Sequence, residues 1–68
     1  MHNYYLVEAY NGKDWFYKTE VWKQIDPMMY EDFDMAVESA KEYTERTSIR
    51  TRVIDRCYKR VWAEVKVA

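Results

Sequence analysis

Catalysis needs ionisable or nucleophilic side chains in groups, and this chain offers few. Its single cysteine, Cys57, and its single histidine, His2, are far apart in sequence. A thiolate nucleophile needs a base beside it, and His2 stands at a terminus expected to fray. One Cys and one His cannot build a zinc site alone, and no His or Cys pair stands at metal spacing. Gly12 is the only glycine, so there is no glycine-rich loop to cradle a phosphate. No catalytic residue, metal site or cofactor is expected, and the chain reads as non-enzymatic.

Binding is the richer possibility, because the charges are segregated. Residues 1–45 hold four lysines and ten carboxylates, whereas residues 46–68 hold seven Lys or Arg and two carboxylates, so a chain of net charge −1 is a dipole along its length. The acidic series Glu31, Asp32, Asp34, Glu38, Glu42 and Glu45 reads as the solvated face of a helix; imitation of nucleic-acid phosphates would call for a far more negative chain. The basic part carries Arg50, Arg52 and Arg56, then Tyr58, Arg60 and Trp62, and these six form the expected partner-binding set. Arginine beside aromatic rings holds phosphates and stacks bases, but Arg, Tyr and Trp are equally the residues of protein-interface hot spots. A pI near 5.8 favours a protein partner or self-association over nucleic acid, since nucleic-acid domains are usually basic. A sheet face of cross-strand pairs such as Arg52 with Glu64, with nothing bound, is the plain alternative.

The elements that must position these residues start from one helix. In Asp34–Thr47 the residues Ala36, Val37, Ala40, Tyr43 and Thr44, with Phe33 just before, recur at spacings of three and four, with Glu38, Lys41, Glu42 and Glu45 opposite. Asp32 or Asp34 can cap its N-terminus, and Arg46 suits the dipole at its other end. Before it, NYYLVEAY at residues 3–10 runs into Asn11-Gly12, the dipeptide best suited to a tight hairpin, and Trp15–Trp22 supplies a return strand. An even loop places Tyr4, Leu6 and Tyr10 beside Trp15 and Tyr17; a glycine bulge swaps the first strand's faces relative to the second. Pro27 ends the second strand at or before Asp26. Met28, Met29 and Tyr30 read either as a cap on the core or as an adaptable contact surface.

After the helix, residues 48–55 alternate, and Val61, Ala63, Val65 and Val67 alternate cleanly against Trp62, Glu64 and Lys66. A three-residue turn at Cys57–Lys59 pairs Ile49 with Val67 and Val53 with Ala63 on the inner face, and Arg52 with Glu64 and Ile54 with Trp62 on the outer. The turn lacks Gly, Pro and Asn, and Ile54, Cys57, Tyr58, Val61, Trp62 and Val65 also fit a helical stripe, so a C-terminal helix (ββαβα) is the alternative. The expected fold is a single α+β domain over residues 1–68: ββαββ, a four-stranded antiparallel sheet with one helix packed on one face.

Twelve aromatic residues in 68 exceed what one helix can cover, so apolar side chains are expected on the face away from it, and such a patch marks association. No run approaches the ~20 apolar residues of a membrane span, and the N-terminus lacks a signal-peptide pattern. A complete, soluble cytoplasmic protein without membrane contact is expected. Compact chains of this kind, rich in Tyr, Trp and Met and free of motifs, resemble accessory proteins of phages and mobile elements, including inhibitors of host defence proteins. That resemblance implies a small regulator or inhibitor that occupies a partner's surface; a nucleic-acid module on the Arg/aromatic face and a structural homo-oligomer subunit are the other two readings.

Overall fold

A computed structural model of the chain describes residues 4–25 and 27–67. Two strands, β1 (Tyr5–Lys13) and β2 (Glu20–Gln24), precede helix α1 (Phe33–Thr47); β3 (Thr51–Asp55) and β4 (Val61–Val65) follow. They form an α+β domain whose antiparallel sheet has the order β2-β1-β3-β4, with the helix on one face. His2, the only histidine of the sequence, lies outside the described residues, as do Asn3 and Asp26.

The helix runs over the inner strands because its apolar stripe ends in small side chains. Ala36 and Ala40 are fully buried and let the helix backbone approach Val7 of β1 and Val53 of β3, which complete the core. Tyr5, Phe33, Val37, Tyr30, Ile25, Ala63 and Val65 surround that centre. At the C-terminal end the stripe turns polar without leaving a loose group. The Thr44 and Thr51 hydroxyls lie 2.8 Å apart, with the Ile49 carbonyl 2.8 Å from Thr44 Oγ1 and the Ala40 carbonyl 3.0 Å from Thr51 Oγ1, so two hydroxyl protons serve three contacts. Asp32 is the N-cap, its carboxylate accepting from the Asp34 amide, and Ser48 closes the helix in the left-handed region.

The first hairpin does not turn at Asn11-Gly12. β1 runs on to Lys13, and Gly12, with φ of 86°, sits in a bulge where the register steps from Tyr10 opposite Trp22 to Lys13 opposite Glu20. A glycine in the left-handed region is what such a bulge requires, so the residue expected to make the turn makes the bulge. The bulged parity is the one that forms, with Tyr10 facing Trp22. Trp15–Tyr17 is no strand, and Tyr4, Leu6 and Tyr10 do not lie beside Trp15 and Tyr17. The turn is the Asp14–Thr19 loop, closed by the Asp14 amide donating to the Thr19 carbonyl at 2.8 Å. Of the connection to the helix, Tyr30 is tied down by paired backbone bonds with Tyr5 and by donating its hydroxyl to Ser39 at 3.0 Å. Met28 and Met29 remain exposed.

The C-terminal segment is a hairpin, and the helical alternative is excluded. Arg52 faces Glu64 and Val53 faces Ala63, as expected, but the pairing ends at Thr51 opposite Val65 and does not reach the expected Ile49–Val67 pair, and at the other end a bulge sets Ile54 opposite Val61. Trp62 is the extra residue. It turns to the helix side, where its ring meets Tyr5 edge-on at 6.5 Å, so the expected outer pairing of Ile54 with Trp62 does not occur. The turn manages without glycine because Lys59 adopts φ of 58° and the buried Asp55 carboxylate accepts from the Tyr58 amide at 2.8 Å. That bond is the main reason the Asp55 carboxyl is held below its ordinary range; the Trp62 indole N–H adds a longer one at 3.4 Å, while burial opposes.

Candidate partner-binding surface

Three surfaces carry the residues with binding chemistry: the open sheet face, the β3–β4 turn and the β1–β2 loop. On the open face, Tyr10 and Trp22 stand opposite each other and pack edge-on at 5.7 Å. The Arg50 guanidinium lies 4.3 Å from the Tyr10 ring and 5.6 Å from Trp22, and Arg52 lies 4.3 Å from Trp22. Arg52 Nε donates to Glu8 at 2.8 Å, and Arg50 is ion-paired with Glu20, which holds its guanidinium above the ordinary arginine range. Leu6 and Ile54, facing each other beside this lattice, are buried. The apolar side chains expected on this face are therefore present, Tyr10, Trp22, Leu6 and Ile54 among them, but Leu6 and Ile54 are buried and the rings carry arginines paired with carboxylates of β1 and β2.

The six expected site residues divide into two groups. Arg50 and Arg52 lie on the open face. Arg56, Tyr58 and Arg60 are exposed at the β3–β4 turn, where Arg60 sits 5.4 Å from the Tyr58 ring. Trp62, 53% exposed, joins the helix side through Tyr5 and Asp55, so it does not share a face with Arg52. The exposed Cys57 also belongs to this turn.

The loop between β1 and β2 supplies the most exposed apolar surface. Trp15, Phe16 and Tyr17 are consecutive and 81%, 68% and 73% exposed. They stand edge-on to one another, with ring centroids 5.8 Å apart for Trp15 and Phe16 and 5.0 Å for Phe16 and Tyr17. Asp14 braces them: its Oδ1 accepts from the amides of Phe16 at 2.8 Å and Tyr17 at 3.0 Å, and its carbonyl accepts from Lys18, which takes φ of 62°. The carboxylate is thus spent on the loop's own backbone, leaving Lys13 and Lys18 as the charges flanking the tip.

Sequence reasoning passed over this tip because alternation absorbed Trp15 and Tyr17 into a strand. A signal was present: three adjacent aromatics cannot share one strand face, and an aspartate directly before them is a side-chain cap for a tight loop. Among the described residues, no three His, Cys, Asp or Glu side chains are grouped to hold a metal ion, and no helix is long and apolar enough to cross a membrane. No protein-family model, curated protein or solved structure matches the chain.

Proposed function

We propose that the chain is a non-enzymatic protein-binding module, a small regulator or inhibitor that seats the Trp15–Phe16–Tyr17 tip in an apolar pocket of a partner and so occupies the partner's surface. The braced exposure of three consecutive aromatics supports this reading. Such rings bring large contact area at low conformational cost, and fixing them before contact lowers the entropy lost on binding. Exposed aromatics held apart from a protein's own core are the composition of interface hot spots. A protein is favoured over nucleic acid because Arg50 and Arg52 are already engaged by Glu20 and Glu8, and a phosphate would have to displace both.

The test is affinity capture from cell lysate with the wild type and a Trp15→Ser/Phe16→Ser variant, each with and without nuclease and at two salt concentrations. A stoichiometric protein that survives nuclease and salt with the wild type, and is absent with the equally folded variant, supports the proposal. Identical capture by both forms, or recovery of nucleic acid that disappears at higher salt, overturns it. Binding to lipid vesicles that the variant loses would assign the tip to a bilayer surface instead.

A further inference from the structure

We infer that the flank of α1 on the β2 side, from Met28 and Met29 to Tyr43, is a docking surface for a basic amphipathic helix of a partner protein. Ala36 and Ala40 seat α1 on Val7 of β1 and Val53 of β3, so the helix lies over the inner strands and not over the edge strand β2. Ile25, just after β2, borders a groove of about 210 Å³ whose other wall is Ser39, Glu42, Tyr43 and Arg46 of α1. A helix laid beside α1 would fill that groove.

Exposed methionines extend the groove towards the start of the helix. The Tyr30 hydroxyl donates to Ser39 at 3.0 Å, which lays the segment before the helix along this same flank. Met28 and Met29 immediately precede Tyr30 and are 58% and 44% exposed, and Met35, one turn before Ser39 on α1, is 61% exposed. These thioethers stand outside the core, and their flexibility suits them to mould to the apolar side of another helix.

Charge selects the occupant. Residues 27–40 hold four carboxylates, Glu31, Asp32, Asp34 and Glu38, and no Lys, Arg or His. Glu38 and Glu42 follow Met35 by three and seven residues and so share its side of the helix; both are exposed, as is Glu31. The two ion pairs among the described residues take other carboxylates, Glu20 and Glu8. Arg46, the cation of the groove, lies 5.5 Å from the Tyr43 ring of its own helix. An apolar surface with this rim suits a helix whose apolar stripe is bordered by Lys or Arg. The same rim repels phosphates, anionic lipid headgroups and the acidic outer face of α1 from a second copy. Tyr30 pairs with Tyr5 at the start of β1, whereas the aromatic tip follows the end of that strand, about 25 Å away at ~3.3 Å per residue, so the two surfaces are separate.

The experiment is calorimetric titration of the full chain, at two salt concentrations, with a synthetic amphipathic helix of leucine and lysine, a scrambled peptide of the same composition and a leucine/glutamate helix. Wild type, Met28→Ser/Met29→Ser/Met35→Ser, Glu31→Gln/Glu38→Gln/Glu42→Gln and Trp15→Ser/Phe16→Ser are compared, each with its fold checked by circular dichroism. The expected result is binding of the leucine/lysine helix alone, with a dissociation constant raised at least about tenfold in the methionine and glutamate variants and a salt dependence that the glutamate variant loses. The tip variant should bind like the wild type. No binding, equal binding of the scrambled peptide, or equal binding by the methionine variant overturns the inference. So does a loss confined to the tip variant, or self-association of the free chain that the methionine variant abolishes, which would give the surface to a second copy.

Discussion

Replacing Arg52 by Ala tests whether the open sheet face is an internal lattice or a surface held ready for a ligand. Two interactions are lost at once. The hydrogen bond from Nε to Glu8 at 2.8 Å joins side chains that are 24% and 17% exposed, so the carboxylate left behind is only partly rehydrated. A charged hydrogen bond in such a setting contributes about 1.5–3 kcal/mol. The stack on Trp22 at 4.3 Å adds ~0.5–1 kcal/mol. Because the two share one side chain they do not add fully, and a total near 2 kcal/mol is expected. For a domain of this size, with an unfolding free energy of roughly 3–10 kcal/mol and a urea slope of about 1 kcal/mol/M, the midpoint should fall by about 2 M. Urea titration followed by tryptophan fluorescence reads this directly, and a Glu8→Ala/Arg52→Ala cycle should return a coupling of at least ~0.5 kcal/mol. A midpoint shift under about 0.5 M would mean that Arg52 contributes little to the fold and is free for another role. The nucleic-acid reading would then regain its footing.

Asp55 links the second hairpin to pH. Its folded carboxyl is depressed below the ordinary value, so its stabilisation is present above the unfolded pKa and is lost as pH falls through the folded one. Wild type and Asp55→Asn should therefore differ in thermal midpoint at neutral pH and converge in acid below about pH 4; a gap unchanged at low pH would refute the role. Gly12→Ala should cost about 1 kcal/mol, because the site has open space but φ of 86°; an unchanged melting temperature would show that the bulge can rearrange. Thr51→Val removes the bond to the Ala40 carbonyl while nearly keeping shape and should cost ~1 kcal/mol; stabilisation would refute the account of that buried pair.

What could be read from the sequence follows from which signals are periodic. The helix was legible to within one residue because its stripe, the Asp32 cap and the acidic outer face agree. The second hairpin was legible as far as the Val53–Ala63 pair for the same reason, since Val61–Val67 alternates without a break. Bulges defeat such reasoning: each inserts one residue and moves a side chain to the other face, as happened to Trp62, where no residue of the bulge takes a positive φ and nothing in the local sequence marks it. Asn11-Gly12 is the converse case. Its glycine does take a positive φ, but composition alone does not tell a hairpin turn from a bulge two residues before one. The Arg50 and Arg52 stacks were invisible because they depend on β1 and β3 being neighbours, a pairing across more than forty residues that no local pattern encodes. Once that pairing exists, the aromatic rings of the expected apolar face carry arginine guanidiniums, Arg50 on Tyr10 and Arg52 on Trp22.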